Sequence, residues 1–341
     1  MKIFRNIIFA MAAVSLASCS DWTKPESVGI NSPAPGDRYQ EEYGQYLENI
    51  RAYKAGDHRL AIGWLDNSAS VPGSQADRLS ALPDSLDAVV LMYPEMLDEW
   101  EIREMHQVQS DKGTRVLYQI DYASVLAGYE AEQDAESGQQ ADGFPAYLSS
   151  YLDRVLPLCA EYGFDGISLW YEPEDVSHLP EADKAVEEAR QTVMEGRISE
   201  WIAASPDKIF MLECNEPKHI ADKSILDNAD YIAVHTEELE NILSVELEVR
   251  SAAAGDVPSD RFIVTASATS SSDPALGWIM DSEGNKVEAV TETAWWIVEP
   301  ETDIVKAGIG ICNIRNDYFG STLNYALTRK AISIISNTSN N

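Results

Sequence analysis

The sequence predicts an α/β protein, a single (β/α)8 TIM barrel, and three observations carry that prediction. From residue 59 onward, eight short β-rich runs alternate with helical patterns. The runs are almost continuously apolar, as in Asp87-Ala-Val-Val-Leu-Met-Tyr93, which marks strands buried on both faces of a parallel sheet. No Gly-rich phosphate turn follows the first run, and this weighs against the doubly wound open sheet that the same alternation would fit.

In chain order, the strands are expected at 60–65, 88–93, 115–120, 164–170, 208–213, 231–236, 262–268 and 307–314. Helical patterns fall at 96–112, 145–162, 181–205, 219–227, 239–254, 289–298 and 319–336, and an extra helix near 41–54 precedes the first strand. Two insertions interrupt the alternation. Glu130–Gly143 is polar and acidic and follows the third strand, where its composition predicts a loop. Residues 278–288 follow the seventh strand and read as a β-hairpin with Ser282–Asn285 at its turn. Both lie on the face where barrels of this class build their sites.

The N-terminus has its own logic. Lys2 and Arg5 precede the apolar run Ile7–Leu16, which is too short to span a bilayer, and Leu16-Ala17-Ser18-Cys19 has the pattern of a lipoprotein processing site. Residues 1–18 are therefore expected to be a signal peptide and Cys19 the lipidated N-terminus, the plainer alternative being an ordinary secretory signal. Residues 19–40 include three prolines without apolar periodicity and read as a tether to a barrel domain at 41–341. Ser20-Asp21 resembles the acidic surface-export signals of outer-membrane lipoproteins in Gram-negative gut bacteria, so the expected location is the outer membrane, at the cell surface.

A formal charge of −32 repels nucleic acid and anionic lipid. Nucleic-acid partners are thus excluded, and membrane contact is expected only through the lipid. Cys159, Cys214 and Cys312 lack paired spacing and read as buried small hydrophobes. The five histidines show no HExxH pattern, so neither a metal nor a cofactor is expected. Gly-x-Ser-x-Gly is absent, which weighs against a serine hydrolase.

Residues 162–172 read Tyr-Gly-Phe-Asp-Gly-Ile-Ser-Leu-Trp-Tyr-Glu. The segment resembles the catalytic strand signature of glycoside hydrolase family 18 (chitinases and endo-β-N-acetylglucosaminidases), Asp-Gly-x-Asp-x-Asp-x-Glu. Asp165, Gly166 and Glu172 match, whereas Ser168 and Trp170 stand where the family has its inner aspartates. The segment is the fourth expected strand, which is where the family carries its motif. The stretches Arg51–His58 and Ala61–Asn67 also resemble the lipoprotein branch of this family, so the similarity covers the mature chain from about residue 40.

Side chains alternate along a strand, so Ser168, Trp170 and Glu172 share one side. The resemblance implies that this side faces the barrel mouth and that the mechanism is substrate-assisted, outside the two-carboxylate scheme. Glu172 would be the general acid, and residue 170 should be the aspartate that orients the sugar's acetamide. An indole N–H only donates and carries no negative charge, so Trp170 cannot do that. Losing such a preorganised partner costs roughly 10²–10³ in rate. Trp170 would instead serve as a stacking platform for a pyranose, or as core.

Asp121 and Glu213 end the two strands that flank the fourth, and either is a candidate replacement carboxylate. Trp64, Asp66, Asn67, Tyr93, Tyr118, Asn215, His235, Asn313 and Asn316 fall at or past strand ends and would give a polar and aromatic rim, although each also fits a core or turn role. Trp295-Trp296 reads as outer-layer packing. The expected ligand is an N-acetylglucosamine-containing glycan or glycoprotein. Three readings follow: a binding protein with little or no hydrolysis, an active endo-β-N-acetylglucosaminidase, or a scaffold component of an outer-membrane glycan-uptake system.

Overall fold

A computed structural model describes residues 40–69, 71–135, 143–320 and 323–337. The signal, Cys19, nearly all of the tether and residues 136–142 of the acidic insertion after the third strand lie outside the described residues. Helix α1 (Gln40–Lys54) comes first. Its last turn is fastened to the outside of the barrel. There Arg51 Nη1 donates to the Asp111 carbonyl, Lys54 Nζ to Thr114 Oγ1, both at 2.7 Å, and the Tyr53 hydroxyl meets that of Ser336 at 2.8 Å.

Seven strands follow the predicted order: β1 (Leu60–Leu65), β2 (Ala88–Leu91), β3 (Arg115–Asp121), β4 (Gly166–Trp170), β5 (Ile209–Glu213), β6 (Tyr231–Val234) and β7 (Phe262–Ser267). The antiparallel hairpin β8 (Trp278–Met280) and β9 (Lys286–Glu288) comes next, where the sequence placed it. Strand β10 (Lys306–Cys312) then pairs with both β7 and β1 and closes an eight-stranded parallel barrel. The predicted fold class is therefore the observed one.

Helices α2 (Glu99–Lys112), α3 (Tyr122–Ala135), α4 (Gly143–Val155), α5 (Leu158–Tyr162), α6 (Glu181–Ala204), α7 (Lys223–Asn228), α8 (Ile242–Ala252), α9 (Ala289–Val298) and α10 (Ala326–Asn337) lie between and after the strands. Helix α3 was not expected, because the sequence places a loop in the acidic insertion from residue 130 onward. Tyr122, Val125, Leu126 and Tyr129 have the spacing of one helical face, and they pack on the core. The single helical pattern at 145–162 is broken at Pro157, which starts α5 and has no N–H to continue α4. Of the tryptophan pair in α9, Trp296 is buried beneath Lys306, whereas Trp295 is 51% exposed.

Alternation along the strands sorts the apolar residues into two layers. Ile62, Trp64, Ala88, Val90, Leu117, Met211, Ala233, Ile263 and Cys312 fill the barrel interior. Their neighbours, such as Leu65, Val116, Tyr118, Ile167, Leu212 and Val264, pack outward against the helices.

Two glycines make this interior possible. A Cβ on Gly166 would lie 2.0 Å from the Ile209 carbonyl oxygen, so only glycine lets β4 and β5 approach as they do. A Cβ on Gly310 would meet the Trp64 ring at 2.8 Å and the Thr265 methyl at 2.9 Å. Its absence leaves room for the Trp64 indole to lie inside the barrel.

Asp165, at the start of β4, accepts from Val116 N and Gln109 Nε2, both at 2.8 Å. A strand rises about 3.3 Å per residue, so Asp165 lies roughly 20 Å from Glu172, at the opposite end of the barrel. Its place in the signature is structural: it ties β4 to β3 and α2.

Candidate functional site

The C-terminal mouth of the barrel is organised around one carboxylate. Glu213 ends β5 and is fully buried. Its Oε1 accepts from Ser168 Oγ at 2.5 Å, from Gln119 Nε2 at 3.0 Å and from Trp64 Nε1 at 3.2 Å. Oε2 accepts from Gln119 Nε2 at 2.9 Å and from His235 Nε2 at 2.8 Å. Five donor contacts thus fall on a group with about four acceptor positions. Glu213 has nothing left for an incoming ligand.

His235, just past β6, continues the chain of charge. Its Nδ1 lies 2.8 Å from Glu237 Oε1, and Glu237 Oε2 in turn accepts from Thr265 Oγ1 at 2.5 Å. Burial alone would lower the His235 pKa. Hydrogen bonding to Cys312, Glu213 and Glu237 and the charge of Glu213 reverse this and hold it far above the usual value, so the ring is an imidazolium at neutral pH. For Glu237 burial would raise the pKa, but the hydrogen bond and charge of His235 bring it below the ordinary carboxylate value.

Trp170 lies over this arrangement. Its ring stacks on the His235 imidazole at 4.4 Å between centroids and 22° between planes, a geometry in which a cation is attracted to the indole face. Trp64 approaches the same imidazole edge-on at 6.4 Å. Ser168 and Trp170 both face the interior, as alternation requires. The two positions where the resemblance called for aspartates are therefore a hydroxyl bound to Glu213 and an indole bound to His235.

Glu172 sits one step further out, exposed at the rim. Its Oε1 accepts from the Asn215 amide at 2.7 Å, and its Oε2 from the Glu216 amide and the Cys214 thiol, each at 3.4 Å. Desolvation by neighbouring atoms raises its pKa, and these hydrogen bonds together with His235 partly offset the rise. A raised carboxyl pKa suits a group that must carry a proton near neutrality. Beside it, burial and the Glu172 carboxylate drive the Cys214 thiol upward, so this cysteine is no nucleophile.

The remaining candidates are scattered. Asp121 caps α3, accepting from Ser124 N at 3.1 Å and Ser124 Oγ at 2.5 Å. Asn215 is a brace: it exchanges hydrogen bonds with the His235 backbone at 2.8 and 2.9 Å and reaches Glu248. Asn67 clamps Tyr93 in the same way, through its N–H and carbonyl, at 2.8 and 3.0 Å, and Tyr93 is 43% exposed at the mouth. Asn313 adopts a left-handed conformation and donates to Ser267 Oγ at 3.0 Å, Asn316 lies in the turn that follows, and Asp66 accepts from the Ser68 amide.

Tyr118 does not belong to the rim. It faces away from the interior, fully buried, and its hydroxyl donates to the Val155 carbonyl at 2.9 Å. The strand's alternation puts Gln119, not Tyr118, in the mouth, and sequence reasoning passed over Gln119. It also passed over Glu237 and Thr265. Although no histidine or cysteine spacing signals a metal, His235, Glu237 and Cys312 place ligand atoms within 4.8 Å of one another.

Concavities occur at both ends of the barrel. The larger, about 760 Å³, runs past Ser199, Lys208, Asp230 and Arg261, far from the mouth residues. A smaller cleft of about 350 Å³ opens at the mouth, beside the ends of β2 and β3, and is lined by Tyr93, Gln119, Asp121, Tyr147, Tyr151 and Arg154. Its aromatic faces and few polar groups fit a ligand site, and its volume is at the low end for one.

The family model for glycoside hydrolase family 18, BT1044-like, matches residues 23–334. Similar solved structures include BT1044, at 16% identity and a TM-score of 0.59, with 88% of this chain and 94% of that one covered. The endo-β-N-acetylglucosaminidase from Cordyceps militaris gives 16% identity and 0.57, over 86% and 96%. YKL-39, solved in the presence of chitooligosaccharides, gives 10% and 0.55, over 81% and 99%. No curated protein sequence matches the chain.

Removing the central carboxylate while leaving its donors is expected to be expensive. Glu213→Ala strands His235 and three further donors, and breaking a buried pair in this way costs about 3–5 kcal/mol. Chemical denaturation of the purified variant measures this. A loss under about 1 kcal/mol would show that Glu213 is not the organising group.

Proposed function

The chain belongs to glycoside hydrolase family 18, and from that premise we propose that it binds N-acetylglucosamine-containing glycans with little or no hydrolysis. One observation carries the reading. Glu213, in register with Trp170 on the neighbouring strand, is saturated by Ser168, Trp64, Gln119 and His235, and Trp170 stacks on His235 where the acetamide-orienting aspartate would stand. Glu172 is a suitable acid, but an acid without that partner lacks the electrostatic stabilisation that forms the oxazolinium ion. Asp121 does not fill the vacancy, because Ser124 and the start of α3 hold it.

Holding a sugar asks for less: aromatic faces, a few hydrogen-bond groups and a cleft. The cleft beside β2 and β3 supplies these, with the Tyr93 ring at its edge. YKL-39, a similar fold solved with chitooligosaccharides, supports the ligand class. The Leu16-Ala17-Ser18-Cys19 pattern supports an acyl anchor on the outer membrane at the cell surface, where a glycan-holding protein would serve a glycan-uptake system.

The active endo-β-N-acetylglucosaminidase is the reading to beat, and the raised pKa of Glu172 is what favours it. The purified barrel, incubated with a glycoprotein, is expected to retain glycan on an affinity matrix and release none. Tyr93→Ala is expected to weaken retention about tenfold, equivalent to about 1.4 kcal/mol, without loss of folding. Glycan release that Glu172→Gln abolishes would establish the enzyme instead, and neither release nor retention would leave a scaffold role. Cell fractionation checks the anchor: Cys19→Ala should move the protein out of the membrane fraction, and a variant that stays there disproves lipidation at this residue.

A further inference from the structure

The mouth holds more chemistry than a sugar-binding platform needs. His235 and Glu237 project from the end of β6, and Cys312 comes from the end of β10, on the far side of β7. Their imidazole nitrogen, carboxylate oxygen and sulfur lie within 4.8 Å of one another. These are the three donor types that bind zinc, and three protein ligands with one further position form a common zinc arrangement.

The surroundings are those of a metal centre as well. A ligating histidine usually donates its other ring N–H to a carboxylate, and a ligating carboxylate is usually hydrogen-bonded in turn. With the ion at Nδ1, the Nε2 proton is already directed at Glu213 Oε2, 2.8 Å away. Glu237 Oε2 already accepts from Thr265 Oγ1 at 2.5 Å. Glu213 is itself fixed by Ser168, Trp64 and Gln119, so the histidine's orientation is set from three strands.

We infer that His235 Nδ1, Glu237 and Cys312 form a binding site for a zinc-class divalent cation, with Glu213 and Thr265 as the groups that orient the ligands. The fit is close. Tetrahedral zinc with bonds of about 2.0–2.1 Å sets nitrogen and oxygen ligands about 3.3 Å apart, whereas His235 Nδ1 and Glu237 Oε1 are 2.8 Å apart. These two ligands need to part by about half an ångström to admit the ion.

Zinc takes a neutral imidazole nitrogen and a thiolate, so binding releases the protons of His235 Nδ1 and Cys312 Sγ to solvent. Sequence reasoning had no access to this site, because its ligands come from two strands that are separated in the chain.

The test uses the full mature chain stripped with a chelator and titrated with Co²⁺, whose thiolate complexes show a charge-transfer band in the near ultraviolet. Zinc affinity is read by competition with a chromophoric chelator. The site predicts one ion per chain and a charge-transfer band that Cys312→Ser abolishes. Zinc affinity should fall at least tenfold in that variant. Glu213→Gln should weaken binding about 10–100-fold through the histidine, and Cys214→Ser should leave the band intact. A folded wild-type protein that gives no band, or a band that survives Cys312→Ser, would overturn the assignment. A band lost only in Cys214→Ser would put the metal beside Glu172 and overturn it equally.

Discussion

The mouth of this barrel depends on a buried run of charge, Glu213–His235–Glu237, laid across the ends of β5 and β6. A carboxylate with no solvent exposure is costly unless it is paired and fully hydrogen-bonded, and Glu213 is both. The neighbouring choices follow from that requirement. Ser168 is small and donates, Gln119 bridges both oxygens, and Trp64 reaches across the interior because Gly310 leaves space for its ring. Trp170 covers the imidazolium with an indole face, which satisfies the cation without adding another acid.

The same arrangement underlies the proposal that this family 18 barrel holds sugar rather than cuts it. Two aspartates are missing from β4, and Glu213, which binds Ser168 and lies in register with Trp170, is not free to take over. Charge neutralisation by His235 makes Glu213 a structural group, even though it lies 2.5 Å from the Ser168 hydroxyl. Catalysis would need a carboxylate that responds to charge developing on the substrate, and here that response is already used by the protein. Glu172 stands at the rim with its pKa raised by desolvation, and this is the observation that favours the enzymatic reading.

Much of the fold was legible in the sequence, for a physical reason. Strands buried on both faces produce unbroken apolar runs, so β2 and β10 announced themselves, and the hairpin β8–β9 did so through its turn residues. Helix α3 was hidden because the acidic run after Glu130 suggested a loop, although Tyr122, Val125, Leu126 and Tyr129 carried the helical period just before it. The site was less legible. Strand alternation placed Ser168 and Trp170 correctly, and the signature pointed to Glu172. The same signature drew attention to Asp165, which braces the opposite end of the barrel. Glu213 read as a possible rim acid, because a glutamate at the end of Ile-Phe-Met-Leu-Glu shows nothing of its partners. Those partners come from β1, β3, β4 and the end of β6, and only closure of the barrel brings them together. Tyr118 and Gln119 are adjacent residues with opposite facings, and one step of register decides which of them sees the mouth.

The most direct measurement is the protonation state of His235 in the metal-free protein, read from its ring nitrogens by ¹⁵N NMR across roughly pH 6–9, a range that brackets an unperturbed histidine. The account predicts a doubly protonated imidazolium throughout, unchanged where an ordinary histidine would have titrated. A neutral ring with a single protonated nitrogen at pH 7 would contradict it. Glu213 would then lack its counter-charge, and the case that the catalytic position has been given over to a structural ion pair would fail.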